Sequence, residues 1–378
     1  MATVVLAGGG SVGHLAPGFA VRDALRALGH DGVFATPGEA REAAWFPPGE
    51  PARLATPSPR RGKGVLGRAL LPLRLARAVV GARRVLRAAS PGAVLALGGW
   101  PCAATAVAAS TLGLPLHLLA TDAVAGVVVR RLAGRARRIW LADARALDTL
   151  PAAARSKATV VGPVVRRDVR TARRDAARFG LDPARRTLLV VGGSLGAQGL
   201  NRRAREGLVA ALRDDPALAG RVQVIHSTGT DEEAAAARAD YRAAGVVADV
   251  RAFVPEIGEA LVTADLVLCR GGAGTIAEVG TLGRPAVVVP YPHHADRQQF
   301  KNAEPLVARG QAVVVEEGAL DAPTFRREVL ARLLDDAALT RMASAGRAAD
   351  RDVEGTGDAA ATIALGLVRS IEDAGGRR

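Results

Sequence analysis

Acidic residues are missing from the whole stretch between Pro51 and Thr121, a gap long enough to give the first half of the chain a one-signed face. Cysteine is scarce. Cys102 and Cys269 stand far apart inside apolar segments, which excludes a disulfide framework and predicts buried free thiols. Aromatic residues make up 3% of the chain against 49% hydrophobic residues in all, so the core must be packed from Ala, Val and Leu, as suits an α/β protein. No run reaches the roughly 18 uninterrupted apolar residues of a membrane-spanning helix. The N-terminus, MATVVLAGGG, has no charged leader and enters a strand and turn at once, so no signal peptide and a cytoplasmic setting are expected. The P-loop signature is absent, which argues against a P-loop kinase or ATPase, and neither HExxH nor CxxC occurs. No metal and no cofactor are expected.

What is present is a repeated grammar of strand, glycine turn and helix. The 378 residues suffice for two domains. The net charge of +14 is carried almost wholly by arginine, with lysine only at 63, 157 and 301. Thr3–Ala7 reads as a strand, Gly8 to His14 as a turn and Pro17–Leu28 as an amphipathic helix. Gly8-x-Gly10-x-x-Gly13 fits the dinucleotide fingerprint, but the next strand ends in Thr36-Pro37, without the acid that a nicotinamide nucleotide's ribose wants. Residues 60–89 interleave basic and apolar positions, which suits either a core-packed helix with a solvated arginine face or a patch resting on an anionic membrane. Nucleic acid is a poor fit, because no recognised motif or aromatic interleaving accompanies the charge. The second half repeats the pattern, with strand Thr187–Val191, turn Gly192 to Ala197 and helix Asn201–Leu212. Two such halves predict two doubly wound parallel-sheet domains facing across a cleft, with a junction near Gly162 to Arg167. The expected domains are 1–162, 163–350 and a final helical segment, 351–378, that packs back across the junction.

The stretch Leu266 to Asn302 carries the chemistry. A buried strand, Leu266 to Cys269, runs into the turn Arg270 to Gly274. Thr275 is expected to open a helix with Glu278 in its first turn. Glycines let backbone N–H groups approach phosphate, and a helix start adds a positive dipole. Glu278 can clasp ribose hydroxyls, and Gln298 and Gln299 offer donors and acceptors suited to a sugar. His293, His294 and Asp296 could bind a metal, though a hydrogen-bonding loop is the simpler reading.

These residues resemble those of the MurG family, bacterial UDP-N-acetylglucosamine transferases that convert lipid I to lipid II in peptidoglycan synthesis. The densest matches run from Cys269 to Glu278 and from His294 to Ala303. Weaker echoes are Gly9 to His14, Arg61 to Gly64, Gly98-Gly99-Trp100, Gly192 to Ala197 and His226-x-x-Gly229. The resemblance implies a GT-B fold with UDP-GlcNAc held by the C-terminal domain and the lipid-linked muramyl-pentapeptide acceptor mainly by the N-terminal one. Carried over, Glu278 holds the ribose, Gln298 and Gln299 read the sugar and Asn302 supports their loop. Ala273, Gly274, Thr275 and Ser194 meet the diphosphate, backbone near Val254 meets the uracil, and Arg166 contributes from the junction. Ser11, Gly13 and Asp122 fall on the acceptor side, and His14 is the candidate general base. The implied location is peripheral, on the cytoplasmic face of the cell membrane. Some positions depart from the family. Ser11-Val12 replaces Thr-Gly, where Val12 would resist a left-handed backbone. Leu195 replaces Gln, and Leu119 to Asp122 aligns with the family's His-Glu-Gln-Asn. Those departures keep open another glycolipid or natural-product acceptor, or a non-catalytic paralogue that binds the sugar nucleotide.

Overall fold

The structure is a computed structural model that describes residues 1–39, 42, 45–46, 54–58, 69–193, 196–294, 296–352 and 358–375. The chain divides into two compact units, Met1–Arg166 with Thr356–Arg378, and Arg167–Gly355.

In the first unit β1 (Thr3–Ala7), β2 (Asp31–Thr36), β3 (Leu54–Ala55), β4 (Ala93–Ala96), β5 (Leu116–Ala120), β6 (Arg138–Leu141) and β7 (Ala158–Val160) form one parallel sheet in the order β3-β2-β1-β4-β5-β6-β7. Continuous apolar strands such as AVLA in β4 are buried throughout, because helices cover both faces of a parallel sheet. The chain reverses its direction of strand addition between β1 and β4, so the turns that follow these two strands leave the sheet side by side. The last helix, Ala359–Gly375, belongs to this unit. It packs on helix Val12–Ala27 and lays Gly366 against Trp140, where a Cβ would come within 2.5 Å of the indole.

Helix Val12–Ala27 starts five residues before the predicted Pro17. Pro17 is tolerated as the sixth residue because only the Gly13 carbonyl loses its partner. The strain foreseen at Val12 does not arise. The left-handed backbone falls on Gly9 (φ +137°) and Gly10 (φ +79°), and Val12 is the first helical residue.

Of the basic region, residues 60–68 and the Arg61 to Gly64 echo lie outside the described residues. Helix Leu71–Ala89 buries Ala78, Ala82 and Leu86 on one side and packs on helix Ala103–Thr111. Its opposite side exposes Leu73 (51%) and Val80 (50%) among Arg77, Arg84 and Arg87. No described helix is long and apolar enough to cross a membrane.

In the second unit β8 (Arg186–Val191), β9 (Val222–Ser227), β10 (Ala248–Arg251), β11 (Leu266–Cys269), β12 (Ala286–Val288) and β13 (Ala312–Val314) are ordered β10-β9-β8-β11-β12-β13. The reversal lies between β8 and β11, whose register pairs Val191 with Cys269. Cys102 and Cys269 are buried and free, and burial pushes each thiol up to about 12, out of the reactive range.

Candidate active site

In open parallel sheets, ligands sit beyond the carboxyl ends of the strands at the point of reversal. The second unit gathers most of the sequence-predicted residues there. β11 ends at Cys269, Gly272 caps the next helix and Ala273–Thr281 follows. Ala273, Gly274 and Thr275 are its first three residues, and the first intrahelical bond runs from Ile276 N–H to Gly272. Their own N–H groups precede the helical ladder, as an anion site requires. The helix begins two residues earlier than expected, which puts Glu278 in its second turn rather than its first.

The loop after β12 is fastened to this helix start by side chains from Gln298–Ala308. Gln299 accepts hydrogen bonds through Oε1 from the N–H of Gly271 (3.1 Å) and of Tyr291 (2.8 Å). Buried Asn302 donates to the Gly271 carbonyl at 2.9 Å. Gly271 can be nothing else: a Cβ there would lie 2.2 Å from the Gln299 carbonyl oxygen. Gln299 is thus a clasp whose oxygen is already engaged by two backbone N–H groups. Gln298 is half-buried at the start of the same helix. Before it, Arg297 adopts a left-handed backbone (φ +51°), a strained state for a side-chain-bearing residue. Asp296 accepts from the Gln298 N–H, and both His293 and His294 make edge contacts with Tyr291.

Arg270 has no role that its sequence position reveals. It is buried, donates to the carbonyls of Val289 (3.0 Å) and Pro290 (3.3 Å), and pairs with Glu317. That arrangement ties the loops after β11 and β12 together. Val254 is buried just beyond β10. Ser194 and Leu195 lie outside the described residues, and the ends of their turn, Gly193 and Gly196, both have left-handed backbones (φ +89° and +72°).

In the first unit His14 stands in the first turn of helix Val12–Ala27, with its N–H bonded to the Ser11 carbonyl at 3.3 Å. Ser11 caps the helix, and Gly13 is exposed beside it. The imidazole packs on Gly98 and Gly99, the turn after β4. A Cβ on Gly99 would lie 2.8 Å from the ring, and the backbone there is left-handed (φ +72°). Burial holds the His14 pKa below its ordinary value, and the charge of Asp122, in the turn after β5, works against that shift. The lowered value leaves a neutral ring able to accept a proton at pH 7. Sequence reasoning missed Glu42, which lies in no motif. It is fully buried and accepts from the N–H of Gly10 and of Gly38, both at 3.1 Å. With that N–H engaged by a carboxylate, the first glycine turn is poorly suited to cradle a dinucleotide phosphate. Arg166 is the last residue of this unit's main segment and is half-buried.

Two Rossmann-like sheets with these turns at their points of reversal make the GT-B fold, and the family comparisons give its class as a glycosyltransferase. Residues 4–141 match the model of the glycosyltransferase family 28 N-terminal domain and residues 187–356 that of the family 28 C-terminal domain. A protein of Acidithiobacillus ferrooxidans named UDP-N-acetylglucosamine--N-acetylmuramyl-(pentapeptide) pyrophosphoryl-undecaprenol N-acetylglucosamine transferase is 38% identical over 376 residues, covering 99% of this chain and 98% of its own. A protein of the same name from Verminephrobacter eiseniae is 40% identical over 311 residues, 82% of this chain and 83% of its own. The crystal structure of Acinetobacter baumannii MurG superposes with a TM-score of 0.67 at 25% identity, covering 98% of this chain and all of that one. The chain belongs to the MurG family.

Proposed function

We propose that this enzyme transfers GlcNAc from UDP-GlcNAc to the MurNAc 4-hydroxyl of undecaprenyl-diphosphate-MurNAc-pentapeptide, converting lipid I to lipid II with inversion at the anomeric carbon. The observation that carries the reading is the helix start at Ala273, Gly274 and Thr275, with Glu278 one turn on and Gln299 and Asn302 clasping its glycine loop. In the bound donor Glu278 holds the ribose hydroxyls, and Gln298 with the amide nitrogen of Gln299 orients the sugar. Ser194 and the N–H groups of the helix start meet the diphosphate, backbone near Val254 meets the uracil, and Arg166 adds positive charge. His14, neutral at pH 7, takes the proton of the acceptor hydroxyl as its oxygen attacks the anomeric carbon and the bond to UDP breaks. The charge that develops on the departing diphosphate is stabilised by the helix-start N–H groups. Ser11, Gly13 and Asp122 are assigned to the acceptor. Turnover of UDP-GlcNAc with a lipid I analogue tests the reading; UDP-GlcNAc binding without product would sink it.

The exposed side of helix Leu71–Ala89 favours an anionic membrane as the surface on which the enzyme meets its acceptor. Leu73 and Val80 stand there among Arg77, Arg84 and Arg87, with no acid from residue 52 to 120. On this reading the protein works peripherally, at the cytoplasmic leaflet. A second reading keeps the donor and changes the acceptor to another glycolipid or a natural product. It is favoured by the segment Leu119 to Asp122, where the family's acid is replaced by Ala120 and an acid stands two positions later. A panel of acceptors separates the two.

A further inference from the structure

We infer that Tyr241, His226 and Asn201 form a directional hydrogen-bond chain that fixes the Thr228 carbonyl and the Gly196 backbone packed on it, which makes the three of them positioning residues for the donor's diphosphate. The inference rests on the donor reading above. Tyr241, His226, Asn201 and Thr228 are each no more than 1% exposed, so their polar atoms must satisfy one another. Asn201 Nδ2 donates to the Thr228 carbonyl at 2.8 Å, which turns its Oδ1 toward His226 Nε2 at 3.2 Å. An amide oxygen only accepts, so Nε2 must carry the hydrogen. Burial, with the charge of Arg205 as a smaller cause, lowers the His226 pKa to about 3 and keeps the ring neutral. Nδ1 is therefore bare, and the partner 3.0 Å away, the Tyr241 hydroxyl, must donate to it. Every proton in the chain then has one direction, from Tyr241 through His226 and Asn201 to the carbonyl of Thr228.

That carbonyl packs against Gly196. Gly196 presses on it so closely that a Cβ would lie 2.3 Å from the Thr228 oxygen, and the left-handed backbone at Gly196 excludes a side chain independently. The turn is closed above by the bond from the Gly196 N–H to the Gly193 carbonyl (3.0 Å), and Gly192 sits against Ala197. Helix Gln198–Asp214 starts directly after it and carries Asn201 in its first turn. Thr228 and Gly229 are in turn bonded to Arg251 and Ala252, the approach to Val254. The chain thus reaches two parts of the proposed donor site from behind without touching ligand. It also gives the His226-x-x-Gly229 echo a physical use.

The experiment pairs a spectroscopic readout with kinetics. In the wild-type protein labelled with 15N-histidine, His226 is expected as the Nε2-protonated tautomer at pH 7. In Tyr241→Phe the donor KM should rise about threefold to tenfold with acceptor KM nearly unchanged, alongside a modest fall in melting temperature from the buried Nδ1 left unpaired. In Asn201→Asp, where the carboxylate cannot donate to Thr228, the donor KM should rise about tenfold or more. An Nδ1-protonated tautomer would overturn the chain, as would a folded Tyr241→Phe protein with unaltered donor KM. A lowered melting temperature with wild-type donor KM would reduce the network to a structural role and overturn the positioning claim. Wild-type protein that binds no UDP-GlcNAc would overturn the donor reading, and the positioning role with it, whatever the tautomer.

Discussion

His14 and Glu278 carry opposite halves of the proposed chemistry, and their removal should have opposite kinetic signatures. His14→Ala should lower kcat by about 10²–10⁴ while UDP affinity is retained, since a general base acts in the transition state. Glu278→Ala should instead raise the donor KM by about tenfold to a hundredfold, the worth of hydrogen bonds to a charged group, as steady-state kinetics over a donor range would show. The acid limb of kcat/KM gives a further check. The neutral ring is the reactive form and burial lowers its pKa, so kcat/KM should hold level as pH falls through 6.5 and drop only below that. A limb at or above 6.5 would contradict the burial argument. How much of the site was legible follows the same residues. Ala273, Gly274, Thr275 and Glu278 fall within one short stretch, so the sequence presents them together. It does not present the clasp by Gln299, which joins Gly271 to a side chain 28 residues away. Glu42 was invisible for a similar reason: its partners are backbone N–H groups on two other turns.

Elements were legible in kind and less so in their bounds. The strand Leu266–Cys269 falls where the apolar run placed it. Two helices start ahead of the favourable N-terminal residues Pro17 and Thr275, at Val12 and Ala273, so those residues mark the first turns without bounding them. Glycine in the turns follows from contact rather than flexibility alone, and Gly99 makes the point. Gly99→Ala combines a left-handed backbone with a methyl 2.8 Å from the His14 ring, so it should reduce kcat severely while leaving UDP binding by the other unit intact. The helix Leu71–Ala89 faced two readings in the sequence, and its two sides serve both descriptions: one packs and the other is exposed, basic and apolar. Leu73→Glu with Val80→Glu should leave turnover of a water-soluble acceptor unchanged and weaken sedimentation with anionic vesicles. Wild-type binding to those vesicles should also fall as salt is raised. Equal sedimentation of both proteins would remove the membrane assignment.

At the scale of the whole molecule each sheet was foreseeable from its repeated strand, turn and helix, and each unit holds a fully buried histidine that contributes to its acid limit. Burial lowers His117 in the first unit to about 4 and His226 in the second to about 3, against an ordinary value of 6.5. The unfolded chain therefore binds protons that the folded one refuses. Stability should be full above about pH 6.5 and fall by about 1.4 kcal/mol per pH unit in each unit as pH drops toward those lowered values. Denaturant midpoints at pH 7, 6 and 5 measure this, and a midpoint independent of pH over that range would refute it. The central claim concerns transfer itself, and one assay addresses it: purified protein, UDP-GlcNAc and a lipid I analogue, with the product's anomeric configuration determined. The account predicts a β-linked GlcNAc on the MurNAc 4-hydroxyl with release of UDP. Saturable UDP-GlcNAc binding with no transfer to that acceptor would contradict it.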